Sequence, residues 1–236
     1  GPMGIRHCRR EREGAGRVII LGGIGPNLRL HSRVGKVLHA AGFATEVIHY
    51  PSTRYELKTL VEEHVAPAVD RANASPEQPL HFYTFSMGGI VFRQWLQSHC
   101  PENLGRAVLV APPNHGSEVA DFFRNWGPYR WMFGPAGQQL GTGADSFPKR
   151  IGPLASGGHT TPEVGVIAGR RSHDPWFHGL FGKAHREAHD GKVTVASTKL
   201  EGMADFTTVS ASHYLIPTRE ETLRQAVHFF RHGHFG

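Results

Sequence analysis

Ser86 ends the run Leu80-His81-Phe82-Tyr83-Thr84-Phe85-Ser86-Met87-Gly88-Gly89-Ile90-Val91, where an apolar, aromatic-rich stretch stops at a serine and two glycines follow. The pattern reads as a strand, a sharp turn and a helix over Ile90 to Gln97, with Ser86 at the apex. A serine on such a turn holds its hydroxyl above the sheet, and small neighbours let strand and helix approach closely. Met87 opens the helix, so its main-chain N–H can stabilise a developing oxyanion. Thr84 stands where the usual G-x-S-x-G pattern has its first glycine. The five residues alone fit an ordinary turn as well as a nucleophile. The partners must decide.

A serine hydroxyl attacks only when an imidazole takes its proton and a carboxylate fixes that imidazole's tautomer. On a strand–turn–helix nucleophile the chain order is serine, acid, histidine. With 17 histidines in the chain, position is the only guide, and His213, just before the last helix, is the best placed. His228, His232 and His234 read as surface or tail residues. For the acid, Asp190 heads Asp-Gly-x-Val, a turn expected to lead into a strand and to aim its carboxylate at the sheet edge. Asp174 follows the strand ending at Gly169 and stays open beside it; Asp205 is a weaker third.

The elements that would position these groups are legible in order. Arg17 to Leu21 is a β-branched strand that ends at Gly22-Gly23-Ile24-Gly25-Pro26-Asn27. That loop lacks the spacing of a phosphate cradle. It is a tight turn or, given Ser86, the other half of an oxyanion hole through the N–H of Ile24 or Gly23. Leu30, Val34, Val37, Leu38 and Ala41 recur at helical spacing up to Gly42, and Ala44 to Tyr50 forms a second strand. Tyr55 to Ala72 is a helix with Pro67 as a kink point. Arg106 to Ala111 and Glu163 to Gly169 are further buried strands. Thr218 and Glu221 form a capping box for a last helix striped by Leu223, Ala226, Val227, Phe229 and Phe230. Strands alternating with helices predict an α/β fold: a mostly parallel, doubly wound sheet with helices on both faces.

Residues 122 to 133 break this rhythm with Phe122, Phe123, Trp126, Tyr129, Trp131 and Phe133. They fit either an irregular helix pair in the core or a small aromatic cap over the site. The cap reading makes 118–160 an insertion in a domain spanning 17–236, with Phe85, Phe122, Trp126 and Trp131 against an apolar substrate.

Composition narrows the class. The 236 residues suffice for one domain burying roughly three quarters of its unfolded surface. No apolar run reaches membrane-span length, so no integral membrane span is expected. The formal net charge of +6 is concentrated partly in Arg6, Arg9, Arg10 and Arg12 of a basic tail, 1–16, with no nucleic-acid motif beside it. Gly1-Pro2-Met3 resembles an expression scar, and no signal peptide is visible. Cys8 and Cys100 read as free thiols, and the expectation is a cytoplasmic monomer or small homo-oligomer. His185 and His189 stand four apart beside Asp190 but no further ligand is fixed by spacing, so neither metal nor cofactor is expected. The His185-x-x-x-x-Asp190 spacing also matches a short acyltransferase pattern too permissive to weigh.

Five segments, in order, resemble the α/β-hydrolase superfamily in its bacterial lipase-like branch, akin to triacylglycerol lipases and GPI inositol-deacylase-like hydrolases. They are Gly22-Gly23-Ile24, Thr84 to Gly89, Pro112-Pro113-Asn114-His115-Gly116-Ser117, Asp190 to Val193 with Ser197, Leu200 and Gly202-Met203, and His213. The resemblance implies the α/β-hydrolase fold, a Ser86–Asp190–His213 triad, and an oxyanion hole from Met87 with Ile24 or Gly23. It selects Asp190 over Asp174. Gly22 and Phe85 replace two histidines of that branch, neither a triad member. The activity implied is hydrolysis of carboxylic esters with an apolar acyl group, the partner being a small ester or lipid. Acyl transfer or thioester hydrolysis through the same triad is the alternative, and a non-catalytic binding protein is a third.

Overall fold

Strands covered on both faces need apolar residues at successive positions, and the runs at 18–21, 80–85 and 107–110 supply them. In the computed structural model, which describes residues 15–25, 28–154, 161–172 and 187–236, these runs form the middle of one six-stranded sheet. The strands are β1 (Arg17–Leu21), β2 (Ala44–Ile48), β3 (Leu80–Phe85), β4 (Leu104–Val110), β5 (Val164–Gly169) and β6 (Asp205–Val209). Their order is β2-β1-β3-β4-β5-β6, and every ladder is parallel, with Ile20 opposite Tyr83 and Phe85 opposite Val110. Parallel strands bring all their C-terminal ends to one edge. The order reverses between β1 and β3, which opens a crevice above those two strands.

Alternate residues feed two cores. Ile19, Leu21, Phe82, Leu109 and Val166 face α2 and α3. Val18, Ile20, Tyr83, Val108 and Ile167 face α1 (Leu28–Ala40) and α8 (Glu220–His232). Here α2 comprises Leu57–Thr59, a π-helical stretch Leu60–Val65 and Ala66–Ala72; α3 is Met87–Ser98. The expected disturbance at Pro67 takes the form of this π-helical stretch. A proline clashes with the carbonyl four residues back, and a wider turn ahead of it relieves that contact. Helix α8 docks through Leu223, Phe229 and Phe230, all buried, each contributing about 2 kcal/mol.

Between β4 and β5 lie α4 (Glu118–Phe123), α5 (Gly127–Gln138) and α6 (Phe147–Arg150). Helix α5 kinks at Gly134, whose φ of 63° and whose approach to the Thr53 carbonyl leave no room for a Cβ. The segment is fastened underneath by Arg93 of α3. Its guanidinium donates to Asn114 Oδ1 (3.1 Å), Pro148 O (2.9 Å) and Gly152 O (2.7 Å). Burial lowers its pKa to about 10, so it stays charged at neutral pH.

Three local expectations change. The turn at Asp190 leads not into a strand but through a single antiparallel bridge, His189 to Thr194, into the short helix α7 (Val195–Thr198). Thr218 does not cap α8: it closes a 3₁₀ turn, Ile216–Thr218, and Arg219 takes the N-cap position without a side-chain bond. As the last residue of that turn, Thr218 donates its hydroxyl back to Leu215 O instead of accepting from α8. Cys100 is disulfide-bonded rather than a free thiol, while Cys8 lies outside the described residues. Among the described residues no helix is long and apolar enough to cross a membrane.

Candidate active site

Ser86 sits between β3 and α3 with φ 53° and ψ −123°, a conformation a non-glycine residue adopts at a cost of order 1–3 kcal/mol. The surroundings hold it there. Ser86 N–H donates to Val110 O of the next strand (2.9 Å), and Gly89 N–H donates to Ser86 O (3.0 Å). A Cβ on Gly88 would lie 2.5 Å from Leu21 O, and one on Gly89 would lie 2.9 Å from Pro112 Cβ. Both glycines are therefore required by close approach, whereas Thr84 fits where the pattern has glycine, fully buried below the turn.

The loop after β1 touches the serine directly: a Cβ on Gly23 would lie 3.2 Å from Ser86 Cβ. Tyr50 OH donates to Gly22 O, and Gly25 N–H donates to Ser52 Oγ (3.0 Å), so the loop is braced from the end of β2. Burial raises the Tyr50 phenol well above its ordinary pKa, keeping it a donor. Met87 is the first residue of α3, so its N–H has no partner within the helix. The loop bearing Gly23 and Ile24 thus faces the helix start across Ser86.

Asp190 reaches the same edge from the far side of the sheet. Gly169 ends β5, and a Cβ there would collide with Asp190 Cβ at 2.6 Å. One carboxylate oxygen of Asp190, Oδ1, accepts from Lys192 N–H (2.9 Å) and Val193 N–H (2.8 Å). The other, Oδ2, lies 2.7 Å from His213 Nδ1, and His213 Nε2 lies 3.1 Å from Ser86 Oγ. With Nδ1 protonated, the imidazole donates to Asp190 and accepts from the serine hydroxyl. His213 N–H also donates to Asp190 O (2.9 Å), tying the two loops by main chain as well as side chain. Phe85 packs its ring 5.0 Å from the imidazole centroid. Such an array can pass a proton from Ser86 to His213.

Above Ser86 lies a cavity of about 240 Å³ lined by Val119, Ala120, Phe123, Trp126, Tyr129 and Phe133 among others. Their rings form a ladder, Phe123 to Tyr129 at 5.6 Å and Tyr129 to Phe133 at 4.4 Å. Burial pushes the Tyr129 phenol up to about 12. Of the aromatic residues singled out from sequence, Phe85 and Trp126 line this cavity; Phe122 and Trp131 do not, and Trp131 is 86% exposed. Trp126, Tyr129 and Phe133 follow one another at three and four residues, the helical phase that marks one face, and that spacing was present in the sequence.

Other candidates fall elsewhere. Asp205 heads β6 at the opposite edge of the sheet, accepting from Phe206 N–H and Phe235 N–H. Asp174 and His185 lie outside the described residues. His189 is buried, its Nδ1 accepting from Gly191 N–H (3.1 Å). His228, His232 and His234 group their rings around the end of α8. Among the described residues, no three His, Cys, Asp or Glu side chains are placed to hold a metal ion.

No family model matches the chain, and comparison with curated protein sequences finds no match. Solved structures do match. The mature form of the Bacillus licheniformis lipase BlEst2 superposes with a TM-score of 0.65 at 16% identity, covering 86% of each chain. The Legionella pneumophila phospholipase PlaB gives 0.59 at 19% identity over 78% of this chain, which spans 45% of that longer protein. YbtT, the type II thioesterase of the yersiniabactin pathway, gives 0.59 at 16% identity over 97% of both chains. At these identities the likeness speaks for architecture. The six-stranded parallel sheet, its crevice and these neighbours agree: the chain has the α/β-hydrolase fold.

Proposed function

We propose that the protein is a serine hydrolase of carboxylic esters with an apolar acyl group. The observation that carries this reading is the unbroken line from Asp190 Oδ2 to His213 Nδ1 (2.7 Å) and from His213 Nε2 to Ser86 Oγ (3.1 Å). Ser86 Oγ attacks the ester carbonyl while His213 takes its proton. The oxyanion is held by the N–H groups of Met87 and of Ile24 or Gly23. His213 then gives the proton to the leaving oxygen as the carbon–oxygen bond breaks, and Asp190 stabilises the imidazolium between the two transfers. Water, deprotonated by the same imidazole, releases the acid and restores Ser86. The apolar ring ladder over the serine supports an apolar acyl group, and no metal or cofactor enters these steps.

The test is labelling with a fluorophosphonate, read by intact mass on the native chain and on Ser86→Ala. One adduct on the native chain and none on the variant is expected. A folded native chain that takes no adduct, with and without detergent, refutes the hydrolase reading and favours a non-catalytic binding protein. A thioesterase or acyltransferase would use the same acyl-enzyme. The end-to-end likeness to YbtT makes thioesters worth including in the substrate screen, and product that depends on an added alcohol or amine would point to transfer.

A further inference from the structure

A second hollow flanks the serine. It is a groove of about 620 Å³ at the ends of β1 and β2, lined by His49, Tyr50, Ser52 and Thr53 on one wall and Met132 on the other. It and the aromatic cavity share four lining residues, Gly23, Ile24, Phe133 and Tyr214. One molecule lying across the Gly23–Ile24 loop would therefore enter both.

The two hollows differ in chemistry and in size. Ser86, His213 and Lys192 line the cavity, whose other walls are mostly rings and aliphatic groups; Ser117 there already donates its hydroxyl to Lys192 O. The groove presents His49 and the Thr53 hydroxyl beside Tyr50 and Ser52, whose oxygens already bond Gly22 O and Gly25 N–H. At about 30 Å³ per water-sized group, 240 Å³ holds about eight heavy atoms and 620 Å³ about twenty. Tyr214, the residue after His213, lines both hollows, so an oxygen protonated by His213 stands at their junction.

Resting on the hydrolase reading above, we propose that the acyl chain occupies the aromatic cavity and the leaving group occupies the groove. The substrate class is an ester or thioester of an acid of up to about eight carbons with a larger, polar alcohol or thiol, one rich in hydroxyl or amide groups. The enzyme is then set against long-chain acylglycerols, whose acids are too long for the cavity. Val119 limits the acid and His49 reads the leaving group.

The experiment measures kcat/KM for four esters, acetyl and octanoyl, each of methanol and of glucose. Native protein, Val119→Phe and His49→Trp are compared, and Val119→Met replaces the phenylalanine variant if that one fails to fold. Val119→Phe should lower the octanoyl-to-acetyl ratio at least tenfold whichever alcohol is present. His49→Trp, at an exposed position, should lower the glucose-to-methyl ratio at least tenfold whichever acid is present. Crossed dependence, or two ratios that both stay within twofold, overturns the assignment of the arms. A Ser86 adduct with fluorophosphonate but no turnover of any of the four esters overturns the substrate class alone. No adduct and no turnover removes the hydrolase reading itself, and this inference with it.

Discussion

The two sides of the Ser86 hydroxyl are built by different means. Toward Asp190 the polar atoms are held by hydrogen bonds between groups fixed by turns: Oδ1 by two N–H groups, Oδ2 by the imidazole. Toward the aromatic segment the walls are rings stacked on rings, with no polar tie between their faces. A hydrogen-bonded array fails when one atom changes; a packed wall changes shape gradually. The difference teaches where a substitution acts on rate and where it acts on choice of substrate.

The comparison breaks most sharply at Asp190. Asp190→Asn keeps the shape but lets the imidazole settle in the wrong tautomer, and kcat on any ester accepted should fall about 10⁴-fold with little change in KM. A fall below tenfold would mean that the His213–Asp190 contact does not orient the base. Next comes Arg93, the fastener between α3 and the segment. Arg93→Met strands the carbonyls of Pro148 and Gly152, and chemical denaturation should register a loss of about 3 kcal/mol.

Smaller effects sharpen the contrast. Tyr129→Ala opens the cavity and should move the preferred acyl length upward, whereas Trp131→Ala, on an 86% exposed ring, should leave that preference where it was. Smallest is Glu118→Gln. Burial raises the Glu118 carboxyl above its ordinary 4.5, so in the folded state ionisation is disfavoured. Its destabilising contribution is absent below pH 4.5 and grows as pH rises through the raised value. The glutamine variant should therefore melt slightly higher than native at pH 8 and equally at pH 4.

The central strands and the nucleophile turn were legible because Val18–Leu21 and Ala107–Val110 are continuously apolar and because glycines follow β1 and Ser86. Strand β6 was not: Asp205-Phe206-Thr207-Thr208 lies at the sheet edge with one partner, so polar residues are tolerated and the run reads as a loop. The Asp-Gly-x-Val turn favours Asp190 over Asp174 and the resemblance selects it, while composition cannot tell which carboxylate Gly169 makes room for. The aromatic residues are visible in the sequence, but only the three-and-four spacing of Trp126, Tyr129 and Phe133 separates the rings that line the cavity from Phe122 and Trp131. The capping box at Thr218 failed because Thr218 closes the preceding 3₁₀ turn, a tertiary detail that a spacing rule ignores.

The packing of Gly88 against Leu21 O and Gly22 O, with Ser86 N–H on Val110 O, has a bearing on the order of folding. The nucleophile turn is braced by strands lying more than sixty residues upstream and more than twenty downstream in the sequence, contacts of high separation that close late. Local helices such as α8 form without them. During refolding, a fluorophosphonate-reactive serine is therefore expected to return no earlier than these distant strands pair.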